Sequence, residues 1–207
     1  MADPTGRPGL LPLLDGYQYD VFLSYRRSGP GNAAAWVRDH FHRMLEDCLA
    51  DELGLTAVFI DKEVETGSMW PPLLREVLAR SKMLVAVWSP PYFHSPWCLA
   101  EWRTMEERER VLGGTVRLVY PVRYSDGDNF PEGAKQRQHF DVREVSNPFP
   151  AFHGSHRQAD LFETVKVIAG EVAQALAAVP PWRADWPECQ VPDAVATPKP
   201  VFPVFQP

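Results

Sequence analysis

Apolar positions in this chain follow two spacings that alternate along its length. Tyr19 to Tyr25 (YDVFLSY) is dense in β-branched and aromatic residues and runs into a Ser/Gly/Pro loop, which predicts a strand. From Asn32 the spacing changes. Trp36, Val37, Phe41, Met44, Leu45, Cys48, Leu49 and Leu53 recur three and four apart, predicting one helix with Asn32 as N-cap and Gly54 as stop signal. Ala57 to Ile60 reads as a second short strand. A loop from Asp61 to Met69 follows, then a helix with Pro71 and Pro72 in its first turn and Leu73, Leu74, Val77 and Leu78 as its core face. Met83 to Trp88 is a continuous apolar run, as a central strand covered on both faces requires. Ser95 and Pro96 open a helix reaching to about Leu112, a serine cap followed by proline at the first helical position. Val116 to Val122 reads as a fourth strand, 123–138 as loop or irregular helix, and Phe140 to Val145 as a short fifth strand. Leu161, Val165, Ile168, Val172, Leu176 and Val179 mark one face of a final helix.

Strands that alternate with helices imply βαβ units, right-handed crossovers and a parallel sheet. The expected fold is α/β: a flavodoxin-like, doubly wound, five-stranded and mostly parallel sheet with helices on both faces, with no internal repeat. Proline sets the boundaries. Eight of the 21 prolines fall in the last 28 residues, so the chain divides into a flexible leader (1–16), one domain (17–179) and a Pro-rich, extended and mostly unpaired tail (180–207).

Charge and cysteine content then narrow the function classes. Lys+Arg 21 against Asp+Glu 27 leaves a net charge of −6 and no basic block, so neither nucleic acid nor an anionic membrane is an expected partner. Cys48, Cys98 and Cys189 are odd in number and lack ligand spacing, which argues against a disulfide framework or a metal site and for a reducing compartment. No apolar run approaches the roughly 18 residues of a membrane helix. A cytoplasmic protein is expected.

In doubly wound sheets ligands sit beyond the carboxyl ends of the strands, which directs attention to the loops after Tyr25, Ile60, Trp88 and Val122. Arg26 and Arg27 stand at the first of these, where two guanidiniums can grip a diphosphate or simply be solvated. Ser28 to Ala34 contains G-x-G-x-x-A ahead of a helix, but Pro30 removes a donor and no acid follows at about 20 residues, so a plain loop is the stronger reading. On the helix from Ser95, about 100° per residue places Trp102 and Met105 beside Cys98, with Glu101 at the edge of that stripe next to Trp97. An acid there is either a cleft carboxylate or a capped, ion-paired structural one. Glu106, Glu107, Arg108, Glu109 and Arg110 read as a solvated helix face. His40, His42, His139, His153 and His156 have no ligand spacing.

Taken together, Tyr19-Asp-Val-Phe-Leu-Ser-Tyr-Arg-Arg, Val58-Phe-Ile-Asp with Gly67 and Trp70, and Ser89 to Trp102 (SPPYFHSPWCLAEW) resemble the Toll/interleukin-1 receptor (TIR) domain over about residues 17 to 179. The S-x-W-C-x-x-E segment looks like that of the TIR domains that cleave NAD+, and by position the resemblance makes Glu101 the catalytic residue. It implies substrate binding by Ser24, Tyr25, Arg26, Arg27, Asp61 and Trp97, and a self-association loop carrying Glu63, Gly67 and Trp70. NAD+ would be the substrate, with no cofactor and no metal. Family enzymes switch on when neighbouring domains assemble, so a homo-oligomer and a separate sensor or activator protein are the expected partners. Usage rich in Ala, Pro and Arg suggests a bacterial source and, by association, a defence role. The Phe-Trp pair of animal receptor TIR domains is absent, Phe162 being followed by Glu163. Two alternatives differ in class: a non-catalytic TIR scaffold, and a nicotinamide oxidoreductase built on the G-x-G-x-x-A stretch.

Overall fold

The strands of the computed structural model, which describes residues 16–61 and 72–189, divide their side chains between two separate cores. In β1 (Tyr19–Ser24), Val21 and Leu23 enter one core and Phe22 the other, as the two-residue period of a strand dictates. The first core is closed by α1 (Ala33–Trp36), a π turn (Val37–Phe41) and α2 (His42–Leu53), which form one continuous rod where a single helix was expected. Its i→i+5 bonding brings Trp36 and Phe41, five residues apart, into stacking at 4.9 Å. Gly54 ends the rod with φ +80°, and its amide reaches Ala50 O at 2.8 Å, so the stop signal works through glycine's access to positive φ. Asn32 sits at the N-cap but its side chain makes no capping bond.

Among the described residues, the remaining strands and α-helices are β2 (Val58–Ile60), α3 (Pro72–Ala79), β3 (Ser81–Trp88), α4 (Pro90–Phe93), α5 (Pro96–Val111), β4 (Val119–Arg123), α6 (Glu132–Lys135), β5 (Phe140–Asp141) and α7 (His156–Leu176). All strand pairs are parallel and the order is β2-β1-β3-β4-β5. Met83, Val85 and Val87 face α1, α2 and α7, while Leu84, Ala86 and Trp88 face α3, α4, α5 and α6. The continuous apolar run of β3 is thus covered on both sides, as read from the sequence.

Several local expectations shift. Leu73 is 65% exposed, because Leu74, Val77 and Leu78 form a narrow stripe that leaves Leu73 about 100° to one side. β4 starts at Val119 rather than Val116, and β5 shrinks to two residues before a 3-10 turn at Arg143–Val145. The short α4 was not foreseen, and α6 lies in the stretch read as loop or irregular helix.

The run from Glu106 to Arg110 is not a solvated face. Glu107 and Arg110 are outside, but Arg108 is 1% exposed and donates to Leu78 O at 3.4 Å. Glu109 accepts the Leu118 and Val119 amides at 2.7 and 2.9 Å and pairs with Arg137 at 2.6 Å. Residues 180–189 hold no helix or strand, yet they lie against the domain. Trp182 donates to Ala79 O at 3.1 Å, Trp186 is buried, and the Cys189 amide reaches Thr104 Oγ1 at 3.0 Å. The change in composition near Val179 therefore marks the end of α7, while packed chain continues to Cys189. No helix among the described residues is long and apolar enough to cross a membrane.

Candidate active site

Chain order reverses between β1 and β3: the connection from β1 leads to the neighbour on one side, that from β3 to the neighbour on the other. The carboxyl ends of these two strands frame the crevice where such sheets hold ligands. Ser24 is the last residue of β1 and shares the parity of Phe22, so its hydroxyl points toward α5. The start of α5 is fixed by Ser95, whose Oγ accepts from the Cys98 amide at 3.4 Å, with Pro96 at the first helical position. That register brings Glu101 inward, 5% exposed, with Oε2 accepting from Ser24 Oγ at 2.6 Å. Among the described residues no donor reaches Oε1.

Burial dominates the electrostatics of this carboxyl. Loss of solvation lifts its pKa from the ordinary 4.5 to about 7, against the smaller opposing pulls of the Ser24 hydrogen bond and the Arg27 charge. The same burial pushes the Cys98 thiol up to about 12, with the Glu101 charge adding to it. Tyr92, fully enclosed, is raised well above the usual phenol value for the same reasons. Glu101 is therefore the group of this cluster poised to titrate near neutrality, a mark of functional carboxyls.

The charged wall comes from the loop after β1. Arg27 pairs with Asp61, just past β2, and lies 5.0 Å over the ring of Trp97 in the first turn of α5. Tyr25 donates to Asp61 O at 2.7 Å, and burial raises its hydroxyl pKa against the pull of Arg38 and then Arg27. Arg26 is half-buried and folds beside Gly29. The structure thus gathers Ser24, Tyr25, Arg27, Asp61, Trp97 and Glu101 at one end of the sheet. Glu63, Gly67 and Trp70 lie outside the described residues. The G-x-G-x-x-A stretch is exposed from Ser28 to Asn32. Among the described residues no group of three or more His, Cys, Asp or Glu side chains could hold a metal ion.

Two contributors went unnoticed in the sequence. Tyr92, on α4, places its hydroxyl 3.0 Å from Ser24 Oγ and donates to Cys98 O at 3.1 Å. Arg38, in the π turn, stands beside the Tyr25 hydroxyl. Tyr92 belongs to the SPPYFHSPWCLAEW segment, but its role depends on the turn that folds α4 back over β1. The π turn that sets the position of Arg38 has no simple periodic signal.

A carboxylate with one oxygen fixed and the other open, an arginine stacked on an indole, and a desolvated setting suit stabilisation of a cationic reacting centre beside a diphosphate. Residues 21–153 match the family model described as TIR domain. The chain is 31% identical over 107 residues to TMV resistance protein N of Nicotiana glutinosa and 32% identical over 108 residues to disease resistance protein RPV1 of Vitis rotundifolia. Each match covers 51% of this chain but only 9% and 7% of those proteins, so the chain spans less than a tenth of their length. Among solved structures, the TIR domain of the Toll-related receptor TRR-2 from Hydra magnipapillata overlays with a TM-score of 0.43 and 18% identity, covering 72% of this chain and 98% of that one. The TIR domains of the activated Roq1 resistosome give 0.37 and 21%, covering 77% and 84%.

Proposed function

The chain belongs to the TIR domain family, and we propose that it is an NAD+ glycohydrolase that cleaves the nicotinamide–ribose bond. The observation that carries this reading is Glu101: a buried carboxyl at the switch point, held by Ser24 on one oxygen, with no donor on the other among the described residues. Nicotinamide leaves as a neutral pyridine because the electron pair of the breaking C–N bond neutralises its ring nitrogen. No general acid is needed, unlike the paired carboxyls usual in glycoside hydrolysis. Positive charge grows on the ribose instead, and an ionised Glu101 stabilises it in a setting of low dielectric. Water then forms the new bond and loses a proton, giving ADP-ribose, or a nucleophile of the same molecule closes a cyclic isomer. Trp97 walls the pocket, and Arg26 and Arg27 hold the diphosphate, Arg27 exchanging Asp61 for it.

By the family resemblance, activity depends on homo-oligomerisation, with the loop that carries Glu63, Gly67 and Trp70 at the contact, and on a separate activator in the cytoplasm. The deciding experiment is product analysis after incubating concentrated protein with NAD+, alongside Glu101→Ala. Nicotinamide from the wild type and none from the variant is the expected result, with turnover per chain falling on dilution. Nicotinamide from both would keep the enzyme and discard Glu101. Silence from both, even under crowding, would leave a TIR scaffold.

A further inference from the structure

We propose that Tyr92 is a positioning residue for Glu101, its hydroxyl acting through Ser24 to fix Oε2 and leave Oε1 to the substrate. This rests on the glycohydrolase reading only for its effect on rate; the hydroxyl chain itself is a property of the fold. Tyr92 is fully buried, and α4 carries it from the end of β3 across to the end of β1. Its single hydroxyl hydrogen is shared, in one three-centre bond, between two acceptors, Cys98 O at 3.1 Å and Ser24 Oγ at 3.0 Å. Ser24 must spend its own hydrogen on Glu101 Oε2 at 2.6 Å when that group is a carboxylate, so its oxygen is free to accept from Tyr92. A donor behind a donor polarises it and strengthens the last bond in the chain. The Cys98 contact pins the same phenol to the first turn of α5, the helix that bears Glu101. One hydroxyl thus ties together the three elements whose relative placement sets the carboxylate.

Among the described residues, the titratable and charged groups that face Glu101 from neighbouring elements are Arg27 from the loop after β1, Tyr92 from α4 and Cys98 from its own helix. Cys98 and Tyr92 stay neutral at ordinary pH, so a titration near neutrality in this cluster reports Glu101.

The experiment follows that titration by carbon-13 NMR of the glutamate side chains in the full chain, with Glu101→Gln assigning the resonance. Tyr92→Phe keeps the ring and removes the hydroxyl. The midpoint should rise by roughly half a unit to one unit, the loss of about one neutral hydrogen bond. With Ser24→Ala already in place, Tyr92→Phe should move it no further, because the chain passes through Ser24. A ring-fluorinated tyrosine at position 92 keeps the fold and sharpens the donor, and the midpoint should fall. In the enzyme assay Tyr92→Phe should lower kcat about tenfold and leave KM nearly unchanged, with the rising limb of the pH profile displaced in step. A titration that ignores Tyr92→Phe and the fluorinated residue, or that shifts equally with Ser24→Ala present, overturns the relay. The NMR titration decides this even if no nicotinamide is ever released, so the failure of the relay and the failure of the glycohydrolase reading are separate results.

Discussion

Glu101 sits where burial and ionisation oppose each other. Folding raises its pKa from 4.5 to about 7, so between these values the native state holds a proton that the unfolded chain has released. Stability from this group is intact below about pH 4.5, declines as pH rises, and is fully lost above about 7. Glu101→Gln keeps the Ser24 contact and removes the charge. It should raise unfolding stability on the order of 2 kcal/mol at pH 8 and leave it unchanged at pH 4, as read from denaturant midpoints at the two values. The same variant should lose at least a hundredfold in nicotinamide release. In the wild type, release should rise with pH through about 7, the direction required if the carboxylate is the working form. Stability and activity then trade against each other at a single atom pair, as at many functional sites.

α5 does two jobs with opposite ends of one helix. Its first turns carry Trp97, Cys98 and Glu101 into the crevice, and its last turns bind the sheet through Glu109 and Arg108. Glu109 satisfies the amides of Leu118 and Val119, which lead into β4, and neutralises Arg137. Glu109→Ala would strand the Leu118 and Val119 amides and leave Arg137 with Glu106 as its remaining carboxylate partner among the described residues. It should cost about 2–3 kcal/mol in a denaturant titration, whereas Glu107→Ala, an exposed partner of Arg110, should change little. Behind the crevice, Trp88, Phe93, Trp102 and Phe130 meet at centroid distances from 4.7 to 6.2 Å and give α4 a rigid bed. Such a bed holds the α4 and α5 side chains around the buried carboxyl to a narrow range of positions.

Across the whole molecule, the segment 180–189 closes the end of the sheet opposite the crevice. Trp182 stacks under Arg80 at 4.5 Å, ahead of β3, and Trp186 covers Arg108, whose guanidinium donates to carbonyls and a thioether and feels the charge of Glu188. Burial lowers the Arg108 pKa to about 10, so it stays charged, and its solvation depends on that lid of indole. Trp186→Ala should lower stability by about 3 kcal/mol, visible as a drop in thermal midpoint. The ratio of nicotinamide to ADP-ribose should be unaffected, because the crevice lies at the other end of the strands. A change in that ratio would show that the two ends communicate through α5.

How much of this was legible in the sequence depends on how local each cause is. The period of two in YDVFLS, the apolar run of β3, the Ser95-Pro96 start of α5 and the Gly54 stop are set by covalent geometry and backbone hydrogen bonding within a few residues, so the sequence alone determined β1, β3, the bounds of these helices and the inward edge on which Glu101 lies, while the alternation of strands and helices pointed to a mostly parallel sheet. The motif segments likewise determined the family. Only tertiary structure decided that Arg108 and Glu109 turn inward, that residues 180–189 lie against α3 and α5, and that Tyr92 reaches Ser24. Each of those outcomes is fixed by what arrives from a distant part of the chain to desolvate or satisfy a polar group, and the spacing of neighbouring residues carries no record of that arrival.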